Sequence, residues 1–341
     1  MGDIVGVGIL GTGSYLPAEV VTNDDLARRV PDADPDWVAR KTMIKARRFA
    51  APDEAASDLA AHAARQALAD AGLDAGDIDF LIVSTSTGDS PQPPTSTLVQ
   101  HAIGATRAAC FDINVVCAGF VFGVALANSL VTVNPGAKVL VIASDVYSRI
   151  LDFGDRRTAV LFGDGAGAAV FGAVPAGYGI QELEMASRGD AGGLIHVDAG
   201  GSRLPASAET VANGDHYFRM YGRGVSEFVA SEVPPALEGM LKRAGVAAEE
   251  VDHFVPHQAN GVMLGDLVER AGLQAARTHM TLDRYGNVGS ASVPVTLDDA
   301  ARSGAMVDGD LVLLAGFGGG MTVGACLLRW YRPETAARVD H

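Results

Sequence analysis

Aromatic residues are scarce in this chain, at 6% of its 341 positions, and cysteine is scarcer still, at three. Cys110, Cys117 and Cys326 are odd in number and form no CxxC pair, which argues against both a disulfide framework and a zinc site. Basic residues are outnumbered, 26 Lys and Arg against 41 Asp and Glu, for a formal net charge of −15. Binding phosphates needs clustered cations, so nucleic acid is not an expected partner. No stretch reaches about 18 uninterrupted apolar residues, and the N-terminal MGDIVGVGILGTGSYLP lacks a basic leader. A soluble cytoplasmic protein with no membrane partner is the expectation. What the chain does have is core-forming bulk, 48% hydrophobic residues with 41 glycines, which suits an Ala/Gly/Val-rich α/β enzyme.

Its organisation is legible as an internal repeat. Leu68-Ala-Asp-Ala-Gly-Leu-Asp-Ala-Gly-Asp-Ile-Asp-Phe-Leu-Ile-Val83 aligns with Leu241-Lys-Arg-Ala-Gly-Val-Ala-Ala-Glu-Glu-Val-Asp-His-Phe-Val-Pro256 at an offset of 173 (241 − 68). Each segment reads as a helix end, a glycine cap and a buried strand. The offset persists in Asn134–Ala143 against Val307–Gly316, and falls to 155 (317 − 162) where Phe162-Gly-Asp-Gly meets Phe317-Gly-Gly-Gly. The first half therefore carries about 18 extra residues around Ser144–Val160, a natural place for substrate contacts. Residues 1–176 and 177–341 are the two expected halves, each a mainly parallel or mixed sheet covered by helices, with the boundary near Val174–Gly179.

Cys117 ends the strand-like run Phe111-Asp-Ile-Asn-Val-Val-Cys and precedes an apolar helix over Gly119–Val133. A thiol at such a turn meets free backbone N–H groups and the positive end of the helix dipole, and both favour the attacking thiolate. Cys110 and Cys326, within apolar strands, read as structural. His257, in Val255-Pro-His-Gln-Ala-Asn260, ends a repeated strand, where α/β sheets place ligands. Pro256 argues against a helix that would align His253 and His257 on a metal, so no metal is expected. Asn287 lies in Tyr285-Gly-Asn-Val-Gly-Ser-Ala-Ser292, before a helix over about Ser292–Arg302. Cys117 plus 173 is position 290, so this turn is the repeat counterpart of the cysteine turn. If a pseudo-twofold relates the halves, both helix starts approach one pocket at their interface. Gly318-Gly-Gly320, after a strand over Leu311–Ala315, suits an oxyanion hole or a plain tight turn. Gly11-Thr-Gly-Ser and Phe162-Gly-Asp-Gly-Ala-Gly167 lack the full dinucleotide and P-loop patterns, so no nucleotide cofactor is expected.

With these residues in view, the chain resembles the β-ketoacyl synthase III family of the thiolase fold along nearly its whole length. The matching stretches are GTGSYLP, TNDDL, DINVVCAGF, RRTAVLFGDGAGA, VPHQAN, RYGNVGSAS and AGFGGG. The resemblance implies a five-layer α-β-α-β-α fold, a homodimer and a Cys117–His257–Asn287 site. It implies that Cys117 accepts an acyl group from a coenzyme A or phosphopantetheine thioester, with N–H groups of Cys117 and Gly319 as the oxyanion hole. A malonyl thioester then loses carbon dioxide, and its enolate, held by His257 and Asn287, attacks the acyl-cysteine. By the same resemblance Trp37 and Arg156 flank the coenzyme A nucleotide, and Phe162 lies in the acyl pocket. Lys41, Gly222, Asn260 and Phe317 complete the expected substrate contacts.

Departures from the family pattern are equally informative. Lys41-Thr-Met-Ile44 replaces a common Arg-Thr-Gly-Ile, Val262 stands where an arginine is frequent, and Val323 where a tryptophan is. Glu227 and Glu269 occupy places where relatives often carry lysines that meet the acyl carrier protein. The expectation is a specialised condensing enzyme of secondary metabolism. A rival keeps acyl-Cys117 but passes the acyl group to a hydroxyl or amine of a small-molecule acceptor. Pocket shape is expected to depend on the loops Gly88–Leu98 and Glu184–Asn213.

Overall fold

The computed structural model of the protein describes residues 6–332. Two five-stranded mixed sheets form its frame. The first contains β1 (Gly6–Tyr15), β2 (Phe80–Ser84), β3 (Ala109–Ile113), β4 (Val139–Val146) and β5 (Asp164–Val174), in the order β1-β5-β4-β2-β3. The second contains β6 (Gly179–Ser187), β7 (His253–Pro256), β8 (Arg277–Thr278), β9 (Leu311–Gly318) and β10 (Thr322–Arg329), in the order β6-β10-β9-β7-β8. Each strand of the second sheet takes the place of the strand five labels earlier, with the same parallel core and antiparallel flank. Every residue of β4 is buried, as a strand covered on both faces requires.

The helices that matter to the site are α1 (Pro35–Thr42), α2 (Ala56–Ala71), α3 (Gly119–Val133), α4 (Gly222–Ala244), α5 (Gly261–Arg270) and α6 (Ser292–Arg302). α2 packs outside the first sheet and α4 outside the second, while α3 and α6 lie between the sheets. The layers therefore run α-β-α-β-α. One core fills the space between the sheets, with Phe120, Val121 and Val124 of α3 against Val293, Val295 and Leu297 of α6. Two outer cores lie beneath α2 and α4. The stretch Val116–Val133 is long and apolar enough to cross a membrane, but α3 is the core helix of this middle layer.

The repeat predicts glycine caps after α2 and α4, and both Gly72 (φ 65°) and Gly245 (φ 68°) are left-handed. α3 and α6 match the helices expected from the sequence. Two strands run further than expected. β4 continues through Val146 because Ser144–Val146 pair with Asp164–Ala166, so the one-sided insertion begins at Tyr147 and fills residues 147–163. β9 reaches Gly318 because it closes a hairpin with Thr322. Cys326 is a buried strand residue, whereas Cys110 departs from that reading: it is only partly buried, on the edge strand β3.

α2 sits so close to β1 that glycine is obligatory beneath it. A Cβ on Gly13 would lie 2.4 Å from the Ala67 nitrogen and 2.5 Å from the Ala63 carbonyl oxygen. Backbone cannot yield as a side chain can, so Gly13→Ala is expected to destabilise the fold by about 2 kcal/mol. Denaturant titration measures this, and an unchanged midpoint would contradict the packing.

Candidate active site

Cys117 lies in a single tight turn, Val116–Ala118, between β3 and α3. Val116 enters it at φ 44°, a left-handed value that costs a β-branched residue of order 1–3 kcal/mol. The repeat counterpart of Val116 is Gly289, at φ 55°, which adopts the same backbone without that strain. Below the cysteine runs the end of β9. A Cβ on Gly318 would stand 2.9 Å from the Cys117 sulfur, and one on Gly319 would meet the Val116 methyls at 3.1–3.2 Å. Only bare backbone fits here, and the N–H groups of Gly319 and Cys117 face the sulfur.

Those N–H groups favour thiolate, as the sequence suggests, but they do not prevail. Burial, reinforced by the negative charge of Asp145, pushes the thiol up to about 12. Both groups that the sequence names as favouring thiolate are thus in place, and burial outweighs them.

His257 follows β7, where its N–H donates to the Ala315 carbonyl at 2.7 Å. Its ring meets Phe317 edge-on at 5.5 Å, and burial pushes its pKa down to about 3. The buried Nδ1 has no hydrogen-bond partner, so a neutral ring carries its proton at lower cost on Nε2. His253 is engaged elsewhere, 3.0 Å from both His279 and Asp310. Asn287 is clamped by the insertion: its N–H donates to Leu161 and its carbonyl accepts from Gly163, each at 2.9 Å. The amide oxygen accepts from the Gly289 N–H at 3.0 Å, which leaves Nδ2 as the free donor.

Cys117, His257 and Asn287 open onto one cavity of about 270 Å³, also lined by Trp37, Lys41, Phe162, Gly222, Asn260 and Phe317. The Asn260 amide is already occupied: it caps α5 through the N–H groups of Val262 and Met263 and donates to the Lys41 carbonyl. Arg156 does not line this cavity. Its guanidinium lies over the Trp37 ring, 5.1 Å from the centroid, and donates to the Asp32 carbonyl, while Arg157 lines the cavity in its place.

Several residues escaped the sequence reading. Phe218 lines the cavity, and with Tyr147 and Phe162 it forms an aromatic cluster with centroids 4.5–5.6 Å apart. Of the two loops expected to shape the pocket, Glu184–Asn213 contributes Ile195, but Gly88–Leu98 contributes no lining residue. Met43 caps α1 at φ 64°, a glycine-like position, and its side chain covers Gly261 beside the mouth.

A buried thiol titrating near 12 makes a direct kinetic statement. Iodoacetamide labelling of Cys117 is expected to quicken about tenfold per pH unit from pH 7 to 10. A plateau beginning below pH 9 would mean a thiolate already formed.

Comparison with known proteins agrees with this geometry. Residues 111–189 match the family model for 3-oxoacyl-[acyl-carrier-protein (ACP)] synthase III, and residues 241–330 match the model for its C-terminal part. The chain is 47% identical to acetoacetyl CoA synthase NphT7 of Streptomyces sp. (strain CL190), over 94% of this chain and 98% of that one. It is 43% identical to a β-ketoacyl-[acyl-carrier-protein] synthase III of Caldanaerobacter subterraneus subsp. tengcongensis, over 96% and 98%. Among solved structures, 3-oxoacyl-[acyl-carrier-protein] synthase III of Aquifex aeolicus VF5 superimposes with a TM-score of 0.88 at 35% identity, covering 95% of this chain and all of that one. The priming β-ketosynthase of the R1128 polyketide pathway does so at 0.89 and 32%, covering 98% of each. The duplicated thiolase-like fold, the cysteine turn and these relatives together make the chain a member of the 3-oxoacyl-[acyl-carrier-protein] synthase III family.

Proposed function

We propose that the protein acylates Cys117 from a short acyl-CoA and condenses that group with malonyl-CoA, releasing carbon dioxide and a β-ketoacyl-CoA. The observation that carries this reading is the convergence of a thiol and two neutral donors on one largely apolar cavity. In the first stage the Cys117 sulfur attacks the thioester carbonyl, the bond to coenzyme A breaks, and the thiol proton leaves on the departing sulfur. The N–H groups of Cys117 and Gly319, which face the sulfur, are the donors for the oxyanion that forms beside it. In the second stage malonyl-CoA loses carbon dioxide, and His257 Nε2 and Asn287 Nδ2 donate to the enolate oxygen. The enolate carbon attacks the acyl-cysteine, and the released thiolate takes a proton from solvent. Neutral donors suit this step, because the negative charge develops on a single oxygen in a dry site.

Coenzyme A, rather than an acidic carrier protein, is supported at the mouth. Arg223 is paired with Glu227 at 3.0 Å and Arg270 with Asp266 at 2.7 Å, so each cation is already neutralised by its own helix. Val262 is 56% exposed beside them. The 47% identical relative is itself named an acetoacetyl CoA synthase. A short acyl group is supported by the Tyr147–Phe162–Phe218 cluster, which fills the space a longer chain would need. A second copy of the chain is the partner we propose for the outer edge of β3, where Phe111 is 36% exposed and like strands can pair across a twofold axis.

Carbon dioxide release from malonyl-CoA, with intact-protein mass after acyl-CoA treatment, tests the mechanism. Wild type is expected to show both a Cys117 adduct and gas release, and Cys117→Ala neither adduct nor condensation. Asn287→Ala is expected to keep the adduct and lose condensation by about 100-fold. Ester or amide formation without carbon dioxide would replace condensation with acyl transfer. Phe218→Ala is expected to shift preference toward longer acyl-CoAs, read from competing adduct masses.

A further inference from the structure

Asp145, near the end of β4, is fully buried, and among the described residues no ammonium, guanidinium or imidazole is its partner. Its charge is held by donors alone. One oxygen accepts from the Ser86 N–H at 2.9 Å and from the hydroxyls of Ser86 and Thr87 at 3.0 Å, with Thr85 more distant at 3.4 Å. The other accepts from the Ser290 N–H at 2.8 Å and the Ser290 hydroxyl at 2.7 Å. The first set comes from the loop after β2, the second from the far half of the chain. Ser290 is the repeat counterpart of Cys117, so the carboxylate takes the N–H equivalent to the one that faces the reacting sulfur.

Gly289 lies directly on this group: a Cβ there would stand 2.5 Å from the Asp145 oxygen and 2.4 Å from the Tyr147 ring. The same Gly289 donates its N–H to the Asn287 amide oxygen. We infer that Asp145 is a positioning residue for the condensation proposed above: it anchors the Gly289–Ala291 turn, and through that turn it fixes the Asn287 amide with Nδ2 left to donate. The inference rests on that functional reading only for the role it gives Asn287.

The charge has a separate effect on the nucleophile. Asp145 and Tyr147 act on Cys117 by charge, and His257 lines its cavity together with Lys41 and Arg157. Burial holds His257 neutral and pushes Tyr147 upward, so of Asp145, Tyr147 and His257 it is Asp145, as its carboxylate, whose negative charge opposes the thiolate. Burial also pushes Asp145 upward, but donors from Ser290 and Ser86 oppose it, and two of them are backbone N–H groups that can only donate. Removing that charge favours the Cys117 thiolate while releasing the Asn287 turn. Alkylation of the thiol and condensation should then move in opposite directions, which loss of general structure would not produce.

Asp145→Asn separates them, because its amide places a donor against the N–H groups of Ser290 or Ser86. Iodoacetamide labelling of Cys117 at pH 8 is expected to quicken by about threefold, with the profile moved to lower pH. The acyl adduct is expected to form as in wild type. Carbon dioxide release from malonyl-CoA is expected to fall about 100-fold, with KM within about threefold. Ser290→Ala keeps the charge and loses one donor, so labelling should stay unchanged while release falls about fivefold. A folded Asp145→Asn with an unmoved labelling profile, or release within about twofold of wild type, would overturn the inference. If Asp145→Asn does not fold, Ser290→Ala decides, and wild-type release in that variant sinks it. A wild-type enzyme that releases no carbon dioxide would instead defeat the functional reading, and the labelling profile would still report on Asp145.

Discussion

Burial of the reacting side chains is the constraint on which the rest of the site depends. In water a thiol and an imidazole exchange protons readily near neutrality, and neither is held in one state. Inside this fold the thiol is pushed up to about 12 and the imidazole down to about 3, so both stand neutral. A dry cavity disfavours separated charge and rewards dipoles that are already aimed. Hence the machinery is made of backbone N–H groups and neutral side-chain donors, each fixed by a strand end or a helix start. Gly318 and Gly319 belong to this logic, because the sulfur rests where any side chain would have been.

The duplication supplies the frame, and departures from it supply the chemistry. Both halves place a left-handed residue three positions before the start of a central helix, Val116 in one and Gly289 in the other. Cys117 and Ser290 follow at equivalent positions, yet only one of them opens onto the cavity; the other is tied to Asp145. The insertion after β4 belongs to the first half alone. It brings Tyr147, Arg157 and Phe162 to the cavity region and clamps Asn287 from the second half. Near-symmetry thus yields one active site per chain rather than two.

The periodic and punctuated parts of this structure were legible in the sequence. Gly72 and Gly245 announce two helix ends, and the offset of 173 sets the cysteine turn against the turn after Asn287. Cys117, His257 and Asn287 were all found because each sits at a punctuation mark: a turn, a proline, a glycine pair. Phe218 and Ile195 were not, because they reach the cavity from irregular segments whose path no periodicity encodes. Asp145 was hidden for another reason. It reads as one polar residue at a strand end, and its six donors become visible only once the two halves are packed. The burial acting on the Cys117 thiol is hidden for the same reason, since the helix start that favours thiolate is local and the burial that outweighs it is not.

The stack of Arg156 on Trp37 also bears on exchange rates at the mouth. The ring face is occupied by a tethered group that never diffuses away, held in place by its hydrogen bond to the Asp32 carbonyl. A flat ligand that docks on that face of Trp37 must displace the guanidinium, so its observed affinity is the difference between two contacts rather than the strength of one. The displaced side chain stays within reach and re-forms its stack as the ligand loosens. A resident competitor of this kind shortens occupancy without altering the cavity, and sets the mouth to turn over rather than to store what it binds.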